Sequence, residues 1–176
     1  MAATRIVSII GRKNAGKTTL IVALASEFVR KGRRVMTIKH ATHPVEVDRE
    51  GTDSYRHFHE GKAERVLIAA PDRRTIIERS PDATDPLTLA RRYFEGADIV
   101  LVEGFSAAPL PKIEVFRREV IPPTTLYDTQ GEHTDDWVAI VTDDEKYEAD
   151  CPVLHFRDTM WLQLLANIAW DRAKVL

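Results

Sequence analysis

The sequence predicts an α/β fold, built on a mostly parallel sheet with helices on both faces. Short apolar runs alternate with longer amphipathic segments along the 176 residues, a pattern typical of parallel strands connected by helices. The run at 99–102 is apolar at every position, as in a strand buried on both faces. The first run, Arg5–Ile10, is followed directly by a glycine-containing loop and a helical pattern. From the length we expect one domain over residues 1–176.

The first half of the chain continues this alternation. Residues 19–30 have a helical pattern and are followed by Gly32, a common helix stop. A short helix is predicted over 51–61, with Thr52 or Asp53 as its N-cap. Two strands are predicted on either side of it, over 34–39 and 65–70.

The second half has the same organisation. Asp85 and the proline after it predict a helix over 86–94, because proline is tolerated in the first helical turn. The run at 113–116 alternates apolar and polar residues, so we expect a strand with one wetter face. Asp158 is expected to be the N-cap of a last helix. The apolar residues at helical spacing on its predicted buried face are Trp161, Leu164, Leu165 and Ile168. Two further strands are predicted over 138–141 and 152–155.

Residues 11–18 read G-R-K-N-A-G-K-T, a complete match to the phosphate-binding pattern G-x-x-x-x-G-K-[ST]. In such a loop the backbone N–H groups and the helix N-terminus converge on the phosphates. Lys17 is expected to reach the β and γ oxygens, and Thr18 to offer its hydroxyl to Mg²⁺. We therefore predict binding of a nucleoside triphosphate with Mg²⁺. The predicted phosphate-binding residues are Gly11, Arg12, Lys13, Asn14, Ala15, Gly16, Lys17, Thr18 and Thr19.

Two carboxylates are candidates for the metal and the chemistry. Glu103 follows the apolar run 99–102, the place where a phosphate-binding site positions an acid near Mg²⁺. Asp98 starts the same run, about 17 Å away along an extended strand, so it cannot share the role. Asp48 lies in the polar loop after the second predicted strand, where switch proteins supply a further ligand. Glu103 and Asp48 are the candidate catalytic residues, and Thr18, Asp48 and Glu103 the candidate metal ligands.

A third acid is a candidate for reading the base. Asp143 follows the predicted strand 138–141. Guanine presents two adjacent N–H donors that one carboxylate accepts together, whereas adenine leaves such a carboxylate unpaired. The N-K-x-D guanine motif is absent from the sequence. A solvated acidic loop remains the alternative for Asp143.

Histidines at 40, 43, 57 and 59 suggest a transition-metal site as one interpretation. Metal sites usually need three or four ligands, and the single cysteine, Cys151, allows neither a cysteine-based zinc cluster nor an intramolecular disulfide. Polar surface histidines are therefore the favoured interpretation.

The composition of the chain argues against two classes of partner, nucleic acids and membranes. The formal net charge is −2 and the arginine pairs are scattered, so nothing indicates a nucleic-acid partner. No apolar run approaches membrane-spanning length, and the N-terminal apolar stretch is broken at Gly11. We expect a cytoplasmic protein that contacts no membrane.

Several motifs together resemble one family. In order they are G-R-K-N-A-G-K-T-T-L, T-I-K-H, D-R-E-G-T-D-S-Y-R, D-I-V-L-V-E-G-F and P-K-I-E-V-F-R. They are similar to the molybdopterin-guanine dinucleotide biosynthesis protein B family from about residue 5 to residue 117, and more weakly through Asp143. The resemblance implies a small dimeric GTP-binding protein with the P-loop fold and weak intrinsic GTPase activity.

The resemblance also implies partners. Members act as adapters for the guanylyltransferase that joins GMP to the molybdenum cofactor, so we expect contacts with that enzyme and with molybdopterin or its guanine dinucleotide. Lys112 and Arg117 belong to the P-K-I-E-V-F-R motif. The surface around them is the candidate contact for an anionic pterin phosphate or for the enzyme.

Two other classes share the phosphate-binding loop. A small-molecule kinase needs an acceptor base and usually an arginine-bearing lid, for which Arg73 and Arg74 are candidates. A nickel-insertion GTPase would carry a Cys-Pro-His or histidine-rich metal site, and the histidine is missing after Cys151 and Pro152. Nucleotide turnover and metal binding distinguish these classes from an adapter.

Overall fold

The computed structural model describes residues 3–80, 85–130 and 135–176. Its contacts divide the chain into two compact units, Met1–His40 with Asp85–Leu176, and Ala41–Thr84. We predicted one domain over residues 1–176, and this division into two compact units does not test that prediction. The described elements, in chain order, are β1 (Arg5–Ile10), α1 (Lys17–Arg30), β2 (Val35–Lys39), α2 (Asp53–His59), β3 (Arg65–Ala69), β4 (Arg74–Glu78), α3 (Pro86–Tyr93), β5 (Ile99–Glu103), β6 (Lys112–Phe116), α4 (Tyr127–Gln130), β7 (Trp137–Thr142), β8 (Val153–His155), α5 (Trp161–Arg172) and β9 (Lys174–Val175).

A sheet of seven strands forms the first unit. Six strands pair in parallel in the order β2-β5-β1-β6-β7-β8, and β9 pairs antiparallel with β1. Ile9 of β1 lies beside Glu103 of β5 on one side and beside Ile113 of β6 on the other. Because the six strands are parallel, their carboxyl ends lie at one edge of the sheet, where ligands of such sheets bind.

Helices cover both faces of this sheet, as predicted. On one face, Val7 and Ile9 of β1 belong to a buried cluster with Leu24 of α1 and Leu165 of α5. On the other face, Ile6 belongs to a second cluster, which includes Ala90 of α3 and Val100 of β5. Successive side chains of a strand point to opposite faces, so β1 contributes to both clusters. Asp85 caps α3, as expected, by accepting hydrogen bonds from the N–H groups of residues 87 and 88.

The second unit contains α2 and a hairpin. Thr52 caps α2, because its hydroxyl accepts a hydrogen bond from the backbone N–H of Tyr55. The predicted strand at 65–70 corresponds to β3, which pairs antiparallel with β4 in a separate two-stranded sheet. β4 was not predicted from the sequence, because it contains only two apolar residues between charged and polar ones and gives no clear strand pattern.

The prediction of a wetter face for residues 113–116 is wrong, since every residue of β6 is buried. β6 lies between β1 and β7 in the middle of the sheet, so both of its faces are covered. The Glu114 carboxylate accepts hydrogen bonds from the backbone N–H groups of Leu126 (2.5 Å) and Tyr127 (3.0 Å) and from the Trp137 indole (2.8 Å). Burial raises the pKa of Glu114, although these three donors oppose the shift. Glu114 therefore ties the segment before α4 to the sheet.

The last helix differs from its prediction in two respects. It begins at Trp161 after Met160, which has a left-handed backbone (φ 65°), and Asp158 is not its N-cap. The Asp158 carboxylate instead accepts a hydrogen bond from the backbone N–H of His155. Leu164 is exposed, and the buried face of α5 consists of Leu165, Ala166 and Ala169.

Replacing Glu114 by glutamine is expected to lower the free energy of unfolding by about 1–3 kcal/mol, the cost of leaving a buried donor unsatisfied. The amide nitrogen of glutamine is itself a donor, so it would face one of the three N–H groups that the carboxylate now accepts. Chemical denaturation measures the change. Glu119→Gln, on the exposed segment after β6, is the control, and an equal effect of both variants would contradict the prediction.

Candidate functional site

The glycine loop joins β1 to α1 at the carboxyl edge of the sheet. Gly11 has a φ of 142°, and a Cβ built there would collide with the backbone carbonyl oxygen of Val115 in β6. Gly16, with a φ of 101°, is the N-cap residue of α1. A side chain at Gly11 is therefore excluded by both the backbone conformation and the neighbouring strand. The first turn of α1 carries no acidic residue, which leaves the positive end of the helix dipole available to an anion.

Lys17 is held against the beginning of the loop. Its Nζ donates hydrogen bonds to the carbonyl oxygens of Gly11 (3.0 Å) and Arg12 (2.9 Å). Partial burial lowers the pKa of Lys17, while the negative charge of Glu103 opposes that shift. The Lys17 ammonium therefore lies beside the glycine loop and near the Glu103 carboxylate. Its contact with phosphate oxygens stays a prediction.

Thr18 and Glu103 meet on the β5 side of the loop. The Thr18 hydroxyl lies 2.9 Å and 3.1 Å from the two carboxylate oxygens of Glu103. Lys39, the last residue of β2, pairs in register with Glu103, and its Nζ is 3.5 Å from that carboxylate. Lys39 was not among the residues predicted for the site. Its position at the carboxyl end of a predicted strand was the available signal.

These side chains border a cavity of about 430 Å³, lined by Lys13, Asn14, Gly16, Lys17, Thr18, Thr19 and Glu103. A hydroxyl and a carboxylate in contact are a suitable donor set for Mg²⁺, which prefers oxygen ligands and usually takes only one or two from protein in phosphate sites. The residues present therefore fit a magnesium ion with a phosphate ligand.

Arg117 and Asp143 lie on the opposite, β6 side of the loop. The Nε of Arg117 is 3.5 Å from the position that a Cβ on Gly16 would occupy. The Arg117 guanidinium lies 4.3 Å from the ring centre of Phe156, and its Nη1 is 3.8 Å from the Asp143 carboxylate. Asp143 also accepts a hydrogen bond from the backbone N–H of Arg118 (3.0 Å). The role of Asp143 in reading guanine stays a prediction.

Lys112 is not on an exposed surface, so its predicted role in docking is wrong. Its side chain is only 5% exposed and forms an ion pair of 2.6 Å with Asp136. It also donates a hydrogen bond to the carbonyl oxygen of Leu110 (3.3 Å). The side chain lies within β6, which is buried throughout, and a partner cannot reach it. Arg12, by contrast, is half-buried and lies within hydrogen-bonding distance of Thr124.

Asp48 belongs to the second unit. One of its carboxylate oxygens accepts hydrogen bonds from the hydroxyls of Thr52 (3.0 Å) and Ser54 (3.1 Å). The other oxygen is buried and has no hydrogen-bond partner in the described part of the chain. Its proposed roles in metal binding and catalysis stay predictions.

The histidines do not form a metal cluster within residues 3–80, 85–130 and 135–176, where no three His, Cys, Asp or Glu side chains are grouped to hold an ion. His40 stacks on Phe105 with ring centres 4.3 Å apart, and His59 stacks on Tyr55 at 4.1 Å. These contacts favour packing and surface roles for both side chains. Among the described helices none is long and apolar enough to cross a membrane.

A parallel sheet whose first strand leads through a glycine loop into a helix defines an α/β protein with the P-loop NTPase fold. Residues 6–143 match the family model described as Molybdopterin guanine dinucleotide synthesis protein B. The chain belongs to this family.

Curated relatives carry corresponding names. The chain is 37% identical over 119 residues to the molybdopterin-guanine dinucleotide biosynthesis adapter protein of Haemophilus influenzae, covering 67% of this chain and 66% of that protein. It is 33% identical over 105 residues to the Escherichia coli K12 protein of the same name, covering 58% and 59% respectively. A putative adapter of this kind from Methanocaldococcus jannaschii is 32% identical over 149 residues, or 83% and 58%. The chain thus spans 58% to 66% of the length of these relatives.

Solved structures share the fold. Bacillus subtilis MobB aligns with a TM-score of 0.71 at 24% identity, covering 93% of this chain and 97% of that one. A MobB homologue from Bacillus stearothermophilus aligns with a TM-score of 0.67 at 23% identity, covering 95% and 99%. A crystal structure of molybdopterin-guanine biosynthesis protein B aligns with a TM-score of 0.69 at 26% identity, covering 94% and 98%.

Proposed function

We propose that this protein is a GTP-binding adapter in molybdenum cofactor biosynthesis, which assists the guanylyltransferase that forms molybdopterin guanine dinucleotide. The observation that carries the proposal is the arrangement of Lys17, Thr18 and Glu103 around the cavity beside the glycine loop, in a chain of this family. The names of the relatives supply the adapter role. We propose guanine as the base of the nucleotide because Asp143 lies at the same edge of the sheet and because the family resemblance implies GTP.

Each residue has a distinct task in the proposed complex. The N–H groups of the loop and the start of α1 bind phosphate oxygens, and Lys17 supplies a positive charge next to them. Thr18 and Glu103 would hold Mg²⁺, and the bound ion would neutralise charge that develops on the phosphates. Lys39 lies beside Glu103 and orients its carboxylate through their ion pair.

Slow hydrolysis is part of the proposal. P-loop switch proteins hydrolyse GTP slowly unless a residue that positions water and an arginine finger complete the site. Gln163 lies in α5 and Gln130 at the end of α4, and neither follows β1, β2 or β5. The proposed activity is therefore that of a weak GTPase.

The proposed partners are the guanylyltransferase, molybdopterin or its guanine dinucleotide, and a second copy of the chain. Arg117 remains a candidate contact for anions because its side chain is 39% exposed, whereas Lys112 is excluded by burial.

Lys17→Ala is expected to weaken GTP binding by about 2–5 kcal/mol, because it leaves phosphate charge without its partner. Isothermal titration calorimetry in the presence of Mg²⁺ measures the change. Lys146→Ala removes an exposed lysine and serves as the control. A GTP affinity of the Lys17 variant within threefold of the wild type would refute the phosphate-binding assignment.

Thr18→Ala and Glu103→Gln are expected to reduce the gain in GTP affinity that Mg²⁺ provides, while GDP binding without metal changes less. Each substitution removes an oxygen ligand or its charge from the proposed metal site. Titrating Mg²⁺ at fixed GTP measures the effect, and Thr18→Ser, which retains the hydroxyl, is the matched control. Normal magnesium dependence in both variants would exclude Glu103 from the site.

The adapter role predicts little turnover by the isolated protein and a GTP-dependent effect on its partner. Purified protein should hydrolyse GTP more slowly than about 1 s⁻¹, the low end for kinases. Added to the guanylyltransferase with molybdenum cofactor, it should raise cofactor transfer with GTP, and Lys17→Ala should not. Rapid turnover by the isolated protein, or phosphorylation of a small alcohol, would favour a self-sufficient NTPase or a kinase.

A further inference from the structure

Side chains of different chemistry follow one another along the carboxyl edge of the sheet. On the β5 side of the loop, Glu103 contacts Thr18 and Lys39. On the other side, Arg117 follows β6, Asp143 follows β7 and Phe156 follows β8. The loop itself lies between the two groups, because β1 pairs with both β5 and β6. The two sides of the loop are therefore suited to different parts of a nucleotide.

The contact between Thr18 and Glu103 indicates how a bound nucleotide would be oriented along this edge. The terminal phosphates and their metal belong on the β5 side, where the hydroxyl and carboxylate oxygens lie. The nucleoside then extends toward β6, β7 and β8. Neighbouring strands are about 4.8 Å apart, so these three strands offer roughly 10 Å of edge, which is enough for a ribose and a base.

Arg117 lies on that side, at the boundary of the loop. Its Nε is 3.5 Å from the position of a Cβ on Gly16, yet Arg117 does not line the cavity that Lys17, Thr18 and Glu103 border. Arg117 therefore lies next to Gly16 but outside the cavity of the proposed phosphate site.

The guanidinium is held in place from two directions. The Phe156 ring lies 4.3 Å from it, and Phe156 itself packs edge-on against Trp161 with ring centres 5.3 Å apart. The Asp143 carboxylate is 3.8 Å from Nη1. The Arg117 side chain nevertheless keeps 39% of its surface exposed, so part of a planar, positioned cation remains accessible to a ligand.

We propose that the Arg117 guanidinium, supported by Phe156, is the surface on which the nucleobase of the bound nucleotide stacks. Guanidinium planes and aromatic bases stack face to face, and a cation adds attraction to the ring. This inference rests on the proposed nucleotide binding and adds the residue that contacts the base. Arg117 acts on the nucleoside, and Lys17 acts on the phosphates.

The test compares two ligands that share phosphates but differ in the nucleoside. Dissociation constants for GTP and for inorganic tripolyphosphate, each with Mg²⁺, are measured by calorimetry on the full chain. Arg117→Lys keeps the charge but removes the planar group. Arg118→Lys makes the same change at the next residue, whose side chain is exposed and whose backbone N–H contact to Asp143 is unaffected.

Arg117→Lys is expected to weaken GTP binding by about fivefold to a hundredfold, the range for losing a stacking side chain under a base. Tripolyphosphate binding should stay within twofold of the wild type, and Arg118→Lys should change neither. Phe156→Leu, which removes the supporting ring, should shift GTP affinity in the same direction as Arg117→Lys. Thermal melts verify that both variants are folded, and if the Phe156 variant is not, the Arg117 variant decides.

Three outcomes overturn the inference. Unchanged GTP affinity in Arg117→Lys would remove Arg117 from the nucleotide site. Equal losses for GTP and tripolyphosphate in Arg117→Ala, restored by lysine, would assign Arg117 to the phosphates instead. Wild-type protein that binds neither ligand would refute the proposed nucleotide binding itself, a result distinct from the other two.

Discussion

The parallel pairing of β1 with β5 on one side and β6 on the other is the constraint on which the site depends. It brings Glu103 to one flank of the glycine loop and Arg117 to the other. It also brings the backbone of Val115 so close to residue 11 that only glycine fits. A loop with the same residues outside this sheet would have neither its acidic neighbour nor its arginine. The pairing of the buried strands therefore determines which charged side chains lie at the exposed edge of the sheet.

The two flanks differ in the way their charges are balanced. On the β5 side, one carboxylate is contacted by a hydroxyl and by the ammonium of Lys39, and Lys17 is close enough for its pKa to respond to it. On the β6 side, a guanidinium is stacked on an aromatic ring and paired at 3.8 Å with Asp143. Oxygen ligands suit a hard cation, whereas a stacked planar cation suits an aromatic ligand. A nucleotide presents both kinds of chemistry along its length.

The motif P-K-I-E-V-F-R combines structural and exposed positions. Lys112 is buried and paired with Asp136, and Glu114 accepts three hydrogen bonds that hold the segment before α4. Only Arg117, the last residue of the motif, reaches the edge with an accessible side chain. Buried polar groups must be satisfied inside the protein, so most of the polar residues in this motif support the sheet. Arg117, which follows the strand, is left accessible at the carboxyl edge of the sheet.

The local sequence pattern was enough to predict the α/β class, the glycine loop, most of the helices and the positions of Lys17, Thr18 and Glu103. Strand, loop and helix signals are contained in a few neighbouring residues.

Prediction from the local pattern failed where the burial of a segment depends on the elements packed against it. The alternation at 113–116 indicated a half-exposed strand, but strand order placed β6 inside the sheet, and Lys112 was buried with it. The β3–β4 hairpin and the contacts of Lys39 and Phe156 also depend on residues that are distant in sequence. The amino-acid sequence alone determined the glycine loop between β1 and α1. Tertiary structure decided which side chains lie beside that loop, because pairing between distant strands is set by burial of the whole sheet and cannot be read from any one segment.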